Sequence, residues 1–146
     1  TMMEIRAKAR RLKQRHDLKL VIVDYMQLMT SGKKVESRQL EVSEFSRQMK
    51  LLAKELSVPV VALSQLNRGP EQRTDKKPML SDLRESGSLE QDADMVILLH
   101  RADAYDKDSD RVGEADFIVA KHRNGPTATI PTVFQGHYSR FVDMQH

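Results

Sequence analysis

The apolar positions of this chain change period along its length, and each change marks an element. Near the amino end Met2, Ile5, Ala9 and Leu12 recur at helical spacing, while Arg6, Lys8, Arg10, Arg11, Lys13 and Arg15 fill most of the positions between them. This predicts an amphipathic helix of about four turns, ended by His16-Asp17, whose basic face is solvated or meets an acidic neighbour or DNA. Leu20-Val21-Ile22-Val23 is then apolar without alternation, the pattern of a central strand covered by helices on both faces. Thr30 to Ser37 is polar and turn-rich, hence a loop. A second helix is predicted from Arg38 to Leu56, with Phe45, Met49, Leu52 and Leu56 on its buried stripe. Val58 to Ser64, with Pro59 where a missing donor is tolerated, is a further short strand. Strand, helix, strand in this order predicts a β-α-β unit with parallel strands and a right-handed crossover.

The second half reads differently. Gln65 to Pro78 is long, polar and charged, the kind of loop that inside a compact domain is functional or disordered. Asp82 to Glu85 and Ser88 to Gln91 both have capping-box spacing, which predicts one or two short helical turns. Met95 to Leu99 reads as another buried strand. Asp103 to Asp110 holds four aspartates, but a calcium loop started at Asp106 would place Arg111 where glycine is needed and Phe117 where glutamate is needed, so an acidic hairpin loop is expected. Ala115 to Lys121, Thr127 to Phe134 and Tyr138 to Asp143 are short β-rich runs joined by Arg123-Asn124-Gly125-Pro126 and Gln135-Gly136-His137, which predicts an antiparallel meander.

Composition adds bounds rather than identity. The 146 residues are 39% hydrophobic and 31% charged, the size and balance of one globular domain. No stretch approaches a membrane span, no secretory signal opens the chain, and there are no cysteines, so a cytoplasmic setting is expected. A net charge of +3 neither requires nor excludes a nucleic-acid partner.

The candidate chemistry stands at the carboxyl ends of the strands, where open α/β sheets bind ligands. Asp24 follows the first strand, Ser64-Gln65 the second, and Lys121 and Arg123, two residues apart, leave a later one. An acid, an amide and two cations at one edge form a candidate phosphate site. Asp24 would hold magnesium, Gln65 would meet a terminal phosphate or attacking water, and Lys121 and Arg123 would neutralise transition-state charge. Each residue also has a plainer reading: Asp24 starts a turn, Gln65 caps a loop, and Arg123 packs in the Asn-Gly turn. No Gly-x-x-x-x-Gly-Lys-Ser/Thr phosphate loop, zinc-ligand spacing or nucleophile elbow occurs, and His16, His100, His122, His137 and His146 are scattered, as surface or turn histidines are.

Four stretches, Val21 to Met29, Ser64 to Arg68, Asp82 to Asp94 and Lys121 to Pro126, resemble in order and spacing the carboxyl-terminal half of the motor domain of bacterial replicative helicases of the DnaB type. The resemblance covers essentially the whole chain. It implies an α/β, RecA-like fold with a mostly parallel sheet flanked by helices, ending in the antiparallel meander. It also implies a homohexamer around single-stranded DNA with ATP and Mg2+ between subunits, and primase and a helicase loader as partners. By the same resemblance, Asp24 looks like the Walker B acid and Gln65 like the sensor of the terminal phosphate. Lys121 and Arg123 look like the pair that reaches a neighbouring subunit's nucleotide, Arg123 being the arginine finger, and Arg84, Glu85 and Gly87 resemble the loop that follows the DNA backbone.

The family's phosphate loop, catalytic glutamate and amino-terminal domain have no counterpart in residues 1–146. The resemblance therefore implies a partial domain that does not hydrolyse ATP alone. Two other readings are weighed against the helicase: a RecA-like recombinase or accessory ATPase, against which the Asp82 to Asp94 stretch argues, and a non-catalytic DNA-binding or scaffold module.

Overall fold

A computed structural model describes the backbone of residues 1–24 and 38–145, and the side chains of these except residues 84–87. The expected loop at 30–37 lies outside the described residues. The chain folds as two compact units, Thr1–Gln65 with Glu85–Ala93, and Leu66–Arg84 with Asp94–His146.

In the first unit, helix α1 (Met2–His16) starts at a capping box: Thr1 Oγ1 accepts the Glu4 N–H, and the Glu4 side chain returns to the Thr1 amine. It stops at Asp17, which takes a left-handed conformation (φ 51°). Strand β1 (Val21–Val23) follows, then α2 (Arg38–Leu56) and β2 (Val60–Ala62). The strands pair in parallel, Val21 opposite Val60 and Val23 opposite Ala62, as the β-α-β reading requires. The α2 stripe is buried as its spacing predicts: Phe45, Met49, Leu52 and Leu56 pack with Met2, Ala9, Val23 and Val58 in two adjoining clusters. On α1, Met2 and Ala9 are buried but Leu12 is 46% exposed, so the stripe ends one turn early. Part of its basic face meets an acidic neighbour, Arg6 and Arg10 pairing with Glu55 of α2.

Of the two faces of β1 expected to carry helices, the described residues cover one. Among the described residues α1 and α2 both pack on the face carrying Val21 and Val23, and Ile22, pointing the other way, is 60% exposed.

The long segment after Gln65 is organised rather than irregular. It contains helix α3 (Gly69–Gln72), opened by Pro70 in its first turn, and a 3₁₀ segment (Leu80–Ser86). Asp82, only 4% exposed, holds it: its two oxygens take Nη1 and Nη2 of Arg73 at 2.9 and 2.6 Å and the Met79 N–H at 2.7 Å. Gly69 is needed here because a Cβ would lie 2.8 Å from both Asn67 Oδ1 and Asp82 Oδ1. Helix α4 (Gly87–Asp92) then returns to the first unit and joins α2 through Ser46 Oγ, which donates to the Ser88 carbonyl or the Asp92 carboxylate.

The second unit is built on β3 (Met95–His100), β4 (Glu114–His122), β5 (Ala128–Gln135) and β6 (Arg140–Asp143), antiparallel in that order. The meander therefore begins one strand earlier than predicted, and β3 is not covered on both sides. Leu98 and His100 are buried while Ile97 and Leu99, on the opposite face, are more than half exposed. The acidic stretch is the connection between β3 and β4, and its carboxylates accept local N–H groups, Asp103 that of Gly113 and Asp106 that of Asp108.

Candidate functional site

Two strand ends in the first unit and one in the second carry the candidate residues. Val23, the last residue of β1, accepts a 2.9 Å hydrogen bond from the Leu63 N–H, which extends the parallel pairing one step beyond β2. Asp24 and Ser64-Gln65 therefore leave adjacent parallel strands at the same carboxyl edge, and both Asp24 and Gln65 are exposed. The sequence alone puts them only at separate strand ends; the register adds that these ends lie side by side, with Gln65 three residues beyond β2. A single exposed carboxylate fits magnesium, which keeps several waters and takes one or two carboxylates beside substrate phosphates. Among the described residues no cluster of three metal-binding side chains competes with it.

Lys121 and Arg123 are organised within the second unit. The pairing of β3 with β4 shifts register between Val96, opposite Lys121, and Ile97, opposite Val119. Ala120 is thus the extra residue of a β-bulge. Before the bulge the odd-numbered residues Phe117 and Val119 share a face with Ile97 and Leu99. Beyond it Lys121 shares a face with Val96 and Leu98. Arg123 is bound twice to Asp94: its N–H donates to the Asp94 carbonyl at 2.8 Å and its Nη1 to Asp94 Oδ1 at 2.7 Å.

The turn beyond Arg123 is held by His122. Its Nδ1 lies 3.2 Å from the Pro126 carbonyl, and the Gly125 N–H donates to its carbonyl at 3.3 Å. A Cβ on Gly125 would collide with the imidazole ring, so only glycine allows this approach. The reading of Arg123 as a residue packed in that turn gives way to an ion pair with Asp94.

His100 corrects the expectation of surface or turn histidines. It is 7% exposed, stacked 6.2 Å from Tyr105, and burial lowers its pKa against the opposing pull of Asp116. Asp116, 4% exposed, receives both terminal nitrogens of Arg111 at 2.8 and 2.9 Å, and this pair holds its carboxyl below the usual range. A cavity of about 410 Å³ in the same unit is lined by Leu66, Pro70, Leu99, Tyr105 and Phe134 among others, and by none of Asp24, Gln65, Lys121 and Arg123. The side chains of Arg84, Glu85 and Gly87 lie outside the described residues.

A parallel β-α-β unit with an acid and an amide beyond its carboxyl edge, followed by an antiparallel meander, defines the class: part of an α/β fold of the RecA type. Two solved structures share it throughout. One is an ATPase domain, the other a DnaB-like replicative helicase described with its interactions with primase; each is 46% identical with a TM-score of 0.94 over 99% of this chain, which covers 52% and 35% of them. The chain belongs to the DnaB-like helicase C-terminal domain family, whose model it matches over residues 1–143.

It is 80% identical over 144 residues to the replicative DNA helicase DnaB of Mycobacterium intracellulare, covering 99% of this chain and 25% of that protein. Against the replicative DNA helicase DnaC of Bacillus subtilis it is 54% identical, covering 97% and 32%. The chain thus spans a quarter to a third of the length of these curated relatives. Among the described residues no helix is long and apolar enough to cross a membrane.

Proposed function

We propose that this chain is the carboxyl-terminal portion of the motor of a hexameric replicative DNA helicase. That helicase couples ATP hydrolysis to translocation on single-stranded DNA and duplex unwinding in the cytoplasm. The observation that carries the reading is the shared carboxyl edge of β1 and β2, beyond which the chain continues to Asp24 and to Gln65 respectively, in a chain of the helicase family.

The division of labour follows from side-chain chemistry. Asp24 would hold magnesium, which when bound neutralises and aligns phosphate oxygens. Gln65 has an amide that donates to a phosphate oxygen and accepts from a water, so it registers whether the terminal phosphate is present. Lys121 offers a point charge and Arg123 a planar fork, and charge spread over several phosphate oxygens in the transition state suits the fork. The phosphate cradle itself comes from polypeptide other than these residues. Arg84, Glu85 and Gly87 form the candidate DNA-backbone contact, which suits a motor indifferent to sequence. Primase, named with the DnaB-like relative, and a helicase loader are the proposed partners.

Mixing subunits of the full-length helicase carrying this sequence tests the reading. Asp24→Ala has a dead site and an intact arginine, whereas Arg123→Ala has the reverse. Each alone should lose ATP turnover, Arg123→Ala by about 10³-fold with nucleotide binding retained. Mixed rings should recover part of it, because some interfaces combine the two intact halves. Mixed rings that form and recover nothing would exclude action of Arg123 across the subunit boundary.

A further inference from the structure

We propose that Asp94 is a positioning residue for Arg123, setting the direction of the guanidinium that crosses to the neighbouring nucleotide. The inference rests on the reading of Arg123 given above and goes beyond it to the group that aims it.

The geometry is that of one more rung on the β3–β4 ladder. Met95 is opposite His122, so the next antiparallel position pairs Asp94 with Arg123, and the 2.8 Å bond from the Arg123 N–H to the Asp94 carbonyl shows that the rung is made. Side chains directly opposite in an antiparallel pair lie on one face within reach of each other, and here they close a 2.7 Å charge-assisted bond. The bulge at Ala120 is what brings these two together. In a regular ladder with no bulge Val96 would face Ala120, and continuing the pairing would set His122, not Arg123, against Asp94.

The character of the pair fits positioning better than stability. Arg123 and Asp94 are 46% and 59% exposed, a setting in which an ion pair adds little to folding. The carboxylate sits on a single methylene fixed to a made rung, which is a stiff support for a long flexible side chain. A guanidinium carries five N–H donors, so an anchor at Nη1 orients its plane and is compatible with phosphate at other nitrogens. Reaction rates are sensitive to such placement, a misalignment of about 1 Å costing on the order of 10²-fold.

The test is steady-state, DNA-stimulated ATP hydrolysis by the full-length hexamer carrying Asp94→Ala, Asp94→Asn, Arg123→Ala and the double variant, with hexamer formation checked by size. Asp94→Ala should lower kcat by about 10-fold or more with KM for ATP within about twofold, since it disturbs the transition state and not ground-state binding. Asp94→Asn, which keeps an acceptor oxygen, should recover part of the loss, and it carries the test if the alanine variant does not assemble. In the Arg123→Ala background, Asp94→Ala should cost nothing further.

Turnover at the parental rate in both Asp94 variants, or a further loss in the double variant, overturns the assignment while leaving Arg123 as the finger. Full turnover in Arg123→Ala itself removes the finger reading and this inference with it.

Discussion

Asp82 offers the sharpest check on how the segment after Gln65 is held. Its carboxylate is 4% exposed and accepts hydrogen bonds from both terminal nitrogens of Arg73 and from the Met79 N–H, while the Asp82 carbonyl accepts the Asn67 N–H at 3.1 Å. Truncating one partner of a buried ion pair costs about 3–5 kcal/mol when the other charge is left uncompensated. Arg73 is 30% exposed and also donates to the Lys77 carbonyl, so part of its charge stays solvated and bonded. Its buried Nε has no hydrogen-bond partner among the described residues, which works the other way. The balance places Asp82→Ala at about 2–3 kcal/mol of lost stability. Asp82→Asn keeps the shape but turns one acceptor into a donor facing other donors, and should cost about 1–2 kcal/mol. Urea denaturation gives the free energies. Hydrogen exchange followed by mass spectrometry locates them: the amides of Asn67, Arg73 and Asp82 should exchange about 30-fold faster or more. A loss below about 0.5 kcal/mol in the alanine variant, or faster exchange spread evenly over the chain, would show that the segment is held by something other than this carboxylate.

Leu52 is 1% exposed between α1 and the end of α2, so Leu52→Ala should destabilise the chain by about 3 kcal/mol in the same denaturation assay, whereas a cost under about 1 kcal/mol would contradict the packing. His100 has a folded pKa lowered below its ordinary value of 6.5, so the unfolded chain binds the proton first. Stability should therefore fall as pH drops below about 6.5, by at most about 1.4 kcal/mol per pH unit, until the folded pKa is passed, and His100→Gln should flatten that slope. An equal slope in the variant would assign it to other groups. Arg84→Ala in the full-length helicase should weaken single-stranded DNA binding similarly for all sequences and lower the salt dependence of binding by about one ion, measured by titration at several salt concentrations. A loss restricted to one sequence would indicate base readout instead.

The helices and strand order were legible because each rests on a local period. The α2 stripe of Phe45, Met49, Leu52 and Leu56 is buried as its spacing demands, and the parallel pairing of β1 with β2 follows from the long crossover helix between them. What a period cannot supply is which face another element covers. Ile22 and Ile97 lie in runs as apolar as any buried strand, yet both are exposed because α1 and α2 occupy one face of β1 and because β3 is half-covered in an antiparallel sheet. Leu12 failed for a related reason, a helical stripe being buried only as far as its neighbour extends.

The site was legible as residue types at strand ends and illegible as geometry. The strand ends that lead to Asp24 and Gln65 come side by side only through the register that pairs Val23 with Ala62, and no spacing in the sequence states that register. The bulge at Ala120 is the stronger case. Reading Lys121 and Arg123 as two residues apart on one strand puts them on one face but not on which face, and counting back through an unbroken strand from Val119 gives the wrong one. One extra residue reverses the alternation and exchanges His122 for Arg123 opposite Asp94. A signal was nevertheless present: Asp94 ends the stretch Asp82 to Asp94 immediately before β3, and Arg123 stands immediately after β4. Where the ends of an antiparallel pair are in register, the residue before one strand meets the residue after its partner, and the end of β4 at His122, one residue beyond the run read from the sequence, is what makes that residue Arg123. The bulge is a matter of pairing and not of Ala120 itself: a regular ladder with Val96 opposite Ala120 would set His122 against the carboxylate and turn Arg123 to the opposite face, whereas excising Ala120 would leave Lys121 opposite Val96 and Arg123 opposite Asp94.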